Sequence, residues 1–198
     1  MKKLLILFVC LLGGCTSLPT SAEYVLRGDG YYKDGRLPQA LKAYQKALEL
    51  NPENLSAYAS RGSVYYALGK YDLAEWDFLR VLEKNPYRLN TYTAYASVLA
   101  AKGDYQNALT VLGLALQLDP QLAEAYFSRG GVYFMLGKYQ EAVADYSSAL
   151  RLRPAAEVYS ARGAAYLQLG KTEEAKADFE VAKSGRVPEK MSAYVLYE

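Results

Sequence analysis

Apolar and small residues between positions 55 and 88 recur at the spacing of two amphipathic helices laid back to back. In the first half Tyr58, Arg61, Gly62 and Tyr65 fall at i, i+3, i+4 and i+7, and in the second half Ala74, Phe78 and Val81 share one helical face. Gly69 and Lys70 separate the halves. Pro86 closes the unit, because a proline cannot continue a helix and fixes the turn that follows. The pattern predicts helices over 56–67 and 71–84.

A shift of 34 residues brings up the same columns in 21–54, 89–122 and 123–156, and a fifth copy, one residue shorter, occupies 156–187. The first-helix tyrosines are Tyr24, Tyr58, Tyr92, Tyr126 and Tyr159, and the small residues four places later are Gly28, Gly62, Ala96, Gly130 and Gly163. In the second helices Ala40, Ala74, Ala108, Ala142 and Ala175 precede the bulky column Tyr44, Phe78, Leu112, Tyr146 and Phe179. Pro52, Pro86, Pro120 and Pro154 end four copies, and Val187 stands where the fifth proline is due. Helices are predicted over 22–33 and 38–50, 89–102 and 105–118, 123–136 and 139–152, and 156–169 and 172–184. With these columns the chain resembles the tetratricopeptide repeat (TPR) family over about residues 21–187. The resemblance implies an all-α fold, a right-handed α-solenoid of five helix-turn-helix repeats with one concave face. The segment 188–198 is then a short capping segment or a tail, with Met191, Tyr194 and Val195 on one face.

An arginine column, Arg27, Arg61, Arg129 and Arg162, departs from the family pattern, which often has leucine there. Three of the four occur in copies that carry Asp77, Asp145 and Asp178 just before the second-helix aromatic, whereas the third copy has Tyr95 and Val111. Both members change together, so within-repeat ion pairs are expected; Arg27 faces Ala43 and has no such partner.

The formal net charge of +2 is supplied by Lys2 and Lys3, so the rest of the chain is balanced and has no nucleic-acid footprint. Histidine is absent, which removes the usual general base and the usual metal ligand. Most of the 20 tyrosines fall in repeat columns and are scaffold. The Gly-Lys pairs at 69, 137 and 170 are helix-turn elements and no Gly-rich phosphate loop is present, so the reading is of a protein that is not an enzyme and uses no cofactor or metal.

Residues 1–14 have a basic start and an apolar run of nine, the layout of a secretory leader too short to span a bilayer permanently. Leu12-Gly13-Gly14-Cys15 looks like a bacterial lipobox, which implies a lipidated Cys15 as the first mature residue and a tether over 15–20. Cys10 would be lost with the leader. Several acyl chains would anchor the protein durably, since one chain alone is marginal. Thr16 stands where an aspartate often signals inner-membrane retention, which favours the periplasmic face of the outer membrane.

The concave face is expected to use first-helix residues that the packing columns leave over, with Val25 and Glu124 among them and a small, weakly polar centre that includes Thr93 and Ser97. Tyr32 and Tyr66 flank that centre on one side and Phe127, Phe134 and Met135 on the other, a combination suited to a peptide with a bulky apolar anchor. The function expected is a membrane-anchored adaptor or scaffold for envelope assembly, serving pilus, secretin or cell-wall machinery and binding other envelope proteins or peptides. A pilotin-type assembly factor for a type IV pilus or secretion pore is the alternative. A cytosolic co-chaperone is disfavoured, because the columns that would carry that family's carboxylate clamp hold residues such as Val25, Ser60 and Ala94.

Overall fold

The computed structural model describes residues 18–185. Cys15, the leader, Val187 and the segment 188–198 lie outside the described residues. Among the described residues there are ten helices and no strand. In chain order they are α1 (Ser21–Lys33), α2 (Leu37–Leu50), α3 (Leu55–Ala67), α4 (Tyr71–Lys84), α5 (Leu89–Ala101), α6 (Tyr105–Leu118), α7 (Ala123–Met135), α8 (Tyr139–Leu152), α9 (Ala156–Gln168) and α10 (Thr172–Ser184). Each predicted helix is present within about a residue at either end.

Two local devices recur along the copies. At the hairpin turn a glycine takes positive φ, as Gly69 (69°) and Gly137 (71°) do, a backbone region that a Cβ makes costly. Between copies the residue before proline is held extended by the proline ring, as at Asn51 (φ −141°, ψ 96°) and Asn85 (φ −144°, ψ 89°). The Asn51 and Asn85 side chains each accept the N–H two residues on, at 3.1 Å, and so fix the turn.

The chain forms two compact units that divide between Ala57 and Tyr58. In the first, α1 packs on α2, with the Tyr44 ring against Gly28. Thr20 and Glu23 form a capping box at the start of α1, and Asn54 donates to Ser21 at 2.8 Å while its carbonyl caps the start of α3. Val25, expected on the concave face, is buried instead, because α1 turns that position into the hairpin. In the second unit each hairpin packs internally and each second helix then packs on the next first helix, α4 on α5, α6 on α7 and α8 on α9.

The small-residue column has a direct physical reason. A Cβ built on Gly62, Gly130 or Gly163 would lie 2.9, 2.7 or 2.8 Å from a ring carbon of Phe78, Tyr146 or Phe179. Those rings rest on the bare backbone of the first helix, and helix axes joined this way approach closely. The third copy has both partners changed: Leu112 brings no ring, and the methyl of Ala96 fits.

The expected ion pairs are present in all three copies, each as a two-bond fork. Arg61 donates from Nε and Nη2 to Asp77 at 2.9 and 2.7 Å, Arg129 to Asp145 at 2.7 and 2.8 Å, and Arg162 to Asp178 at 2.8 and 2.7 Å. Tyrosine rings flank each guanidinium, with Tyr58 and Tyr65 within 5.7 Å of Arg61 and Tyr159 and Tyr166 within 5.7 Å of Arg162. Burial acts against the Arg61 charge, but the hydrogen bonds and charge of Asp77 outweigh it and raise the arginine pKa. In the third copy Tyr95 turns to the preceding repeat, donating to Glu75 at 3.1 Å, and Lys102 bonds both Asp72 and Glu75.

Asp145→Ala leaves a partly buried guanidinium without its carboxylate and is expected to destabilise by about 1–3 kcal/mol. A double-mutant cycle with Arg129→Ala, read by chemical denaturation, checks it. Coupling is expected; strict additivity would mean that the paired columns co-occur without interacting.

Candidate functional site

In the second unit the first helices α5, α7 and α9 pack side by side, α5 on α7 and α7 on α9, and they line a groove of about 520 Å³. Their packing columns turn toward the second helices, which leaves positions such as Ser97, Phe127, Ser128 and Ala161 to face the open side. Tyr66, Ser97, Phe127, Phe134 and Met135 all line this groove. Thr93 does not; its hydroxyl donates to the Asn90 carbonyl at 2.9 Å. Tyr32 belongs to the first unit, where its ring is exposed.

The floor and walls include residues that the repeat columns place in the scaffold. Tyr105, Leu112 and Tyr146 contribute to the lining as well as to the core. The converse also holds. Phe127 meets the buried Tyr146 ring at 5.9 Å and Phe134 meets Tyr139 edge-on at 5.3 Å, so both pack on the hydrophobic cluster under α8 and α9. The expectation that these two phenylalanines are separate from the scaffold is therefore corrected. Tyr126 and Phe127 are half-buried alike; Tyr66, 40 % exposed, leans on the Tyr71 ring at 5.9 Å, and Met135, 64 % exposed, is the most open of the lining side chains named here. Glu124, expected on the same face, is engaged by Arg153.

No lining residue of the groove carries a charge. Its polar groups are hydroxyls: Ser97, already donating to the Thr93 carbonyl at 2.9 Å, Ser128, and the tyrosines. Burial, and then the neighbouring Asp145 carboxylate, push the Tyr146 phenol up to about 12, so the groove floor stays neutral across the physiological range. Such a lining favours an uncharged segment with bulky apolar side chains, since a charged group would lose its water without gaining a partner. A second hollow of about 460 Å³ between α3 and α5 is more polar, with Ser60, Ser63 and Asn90. Among the described residues no cluster of ligating side chains could hold a metal ion, and no helix is long and apolar enough to cross a membrane.

The model of the TPR repeat matches residues 28–74, 96–137 and 130–170. No curated protein matches the chain. Among solved structures it is similar to a thermophilic TPR protein of Thermus thermophilus, with 25% identity, 90% of this chain and 100% of that one covered, and a TM-score of 0.77. It shares the fold of Pseudomonas aeruginosa pilF at 22% identity, covering 87% of this chain and 79% of that one with a TM-score of 0.75. It also shares the fold of YrrB, described as a TPR protein with an unusual peptide-binding site, at 23% identity, 88% and 91% coverage and a TM-score of 0.59. The architecture is that of an all-helical TPR solenoid.

The raised pKa of Tyr146 carries a pH prediction. The folded state holds the phenol neutral to about 12, whereas an unfolded tyrosine ionises near about 10. Its contribution is therefore complete below pH ~10 and is lost as pH rises through the folded value. Tyr146→Phe, which matches Phe78 and Phe179 in the same column, is expected to lessen the alkaline loss of stability by up to about 2 kcal/mol at pH ~12. Denaturation curves at pH ~8 and ~12 check this, and an unchanged slope would show that the phenol does not ionise on unfolding.

Proposed function

We propose that this chain, which belongs to the TPR repeat family, is a non-enzymatic adaptor that holds an uncharged, apolar-anchored peptide of another envelope protein in the groove lined by α5, α7 and α9. The observation that carries the reading is the lining itself, in which Tyr66, Phe127, Phe134 and Met135 surround two serines with no charged group among them. Binding of protein or peptide partners is the family's common work, and one structural neighbour is described as having a peptide-binding site. The aromatic rings supply contact area at low entropic cost, and the hydroxyls serve the peptide backbone.

Location is part of the proposal. The leader and Cys15 support export and lipidation, and with them a place on the periplasmic face of the outer membrane. The five residues 16–20 reach at most about 18 Å, so the repeats would work close to the bilayer. Pilus, secretin and cell-wall assemblies are the machines such an adaptor would serve. The non-enzymatic reading is supported by the absence of histidine from the sequence.

The test joins groove chemistry to anchoring. Peptides selected on the purified chain from a random display library are expected to share a bulky apolar anchor and few charges. Met135→Glu, a change at an exposed position, is expected to weaken them at least about tenfold, or about 1.4 kcal/mol, without shifting the melting temperature. In cells, Cys15→Ala is expected to leave the outer-membrane fraction. Selection of charged peptides indifferent to Met135→Glu would remove the groove from the account, and outer-membrane retention of Cys15→Ala would remove the anchor.

A further inference from the structure

Arg27 keeps the arginine of the paired column while its copy has lost the aspartate: Ala43 stands where Asp77, Asp145 and Asp178 stand in the other copies. The guanidinium lies 5.3 Å from the Tyr24 ring, as Arg61 and Arg129 lie 5.4 and 5.5 Å from Tyr58 and Tyr126. Among the described residues no ion pair holds Arg27; the Glu23 carboxylate one turn earlier, itself held in the capping box by Thr20, acts on it only through space. A cavity of about 590 Å³ opens beside it, lined by Tyr24, Tyr31, Ala43, Lys42, Lys46 and Glu49 among others. Lys46 is engaged with Glu49 at 2.8 Å, and Lys42 is exposed with no acidic partner among the described residues.

From this we infer that the first repeat carries a carboxylate site, which takes an aspartate or glutamate side chain from a partner polypeptide on Arg27 in the place left by the missing aspartate. The chain supplies its own template for the ligand. In three copies the same tyrosine and arginine frame holds a carboxylate by two parallel bonds, from Nε and Nη2. In the first copy the Tyr24 and Arg27 pair is retained, the room is retained and the carboxylate is missing, while the second tyrosine, Tyr31, carries Arg36 over its ring at 4.6 Å. Lys42 adds positive charge at the rim, which favours an acidic segment over an apolar one. The site lies in the first unit and stands independently of the groove lined by α5, α7 and α9.

The experiment follows arginine side-chain N–H resonances of the full-length chain during titration with acetyl-(Glu)4-amide, acetyl-(Gln)4-amide and inorganic phosphate. The glutamate peptide is expected to move the Arg27 Nε–H saturably, at a midpoint at least about tenfold lower than either of the others, while Arg61, Arg129 and Arg162 stay in place. Ala43→Asp places an in-chain carboxylate at a column position that three copies already accept, so it is expected to fold and to abolish the response. Arg27→Gln is expected to abolish peptide binding, read by the remaining shifts of the first repeat. An unmoved Arg27, an Ala43→Asp chain that still responds, or phosphate acting as well as the glutamate peptide would each overturn the site. None of these outcomes bears on peptides selected at the groove.

Discussion

Four of the five hairpins depend on a ring lying against bare backbone, and the third replaces the pair by Leu112 on Ala96. The second-helix aromatic sits so close to the first helix that a single methyl at Gly62, Gly130 or Gly163 would overlap it. That contact fixes the distance between the helices, and with the distance fixed the other columns take their places. Arg61, Arg129 and Arg162 can reach an aspartate on the facing helix by both nitrogens because the two helices are held at that spacing. The alanines at 74, 108 and 142 are fully buried for the same reason, since a larger side chain would force the helices apart.

The proposed peptide groove uses what this packing leaves over. Once the glycine, tyrosine and arginine columns are turned inward, the first helices present a face with small residues at its centre, Ser97, Ser128 and Gly131, and aromatic side chains around them. The groove is not a separate layer laid on the scaffold. Phe127 leans on Tyr146, and Phe134 on Tyr139, so the walls are held by the same rings that hold the hairpins. A preorganised wall of this kind loses little entropy when a peptide is bound.

The helices, turns and ion pairs were legible in the sequence because each recurs, and a column with five members exposes its own exceptions. Tyr95 with Val111 in the third copy marks the pairing of Arg61 with Asp77, because both members of the pair change together. Single-copy features were not legible. The bridge from Lys102 to Asp72 and Glu75 occurs once, spans two repeats and leaves no column to read. The double duty of Phe127 and Phe134 was hidden for another reason: adjacent residues on a helix differ by about 100° of arc, and a half-buried ring serves two faces at once. Val25 was misplaced by the same ambiguity, and nothing in the repeat pattern marks the division of the chain between Ala57 and Tyr58.

The account is tested most directly by a stability cycle on the ring and its glycine. Gly163→Ala alone would press a methyl into Phe179, whose nearest ring carbon lies 2.8 Å from the built Cβ, and is expected to cost about 1–3 kcal/mol. In a Phe179→Leu background, which reproduces the Ala96 and Leu112 pairing of the third copy, the same glycine change is expected to cost less than about 0.5 kcal/mol or to stabilise, as alanine does within a helix. Equal costs of Gly163→Ala in the two backgrounds would contradict the claim that ring and backbone set the hairpin together.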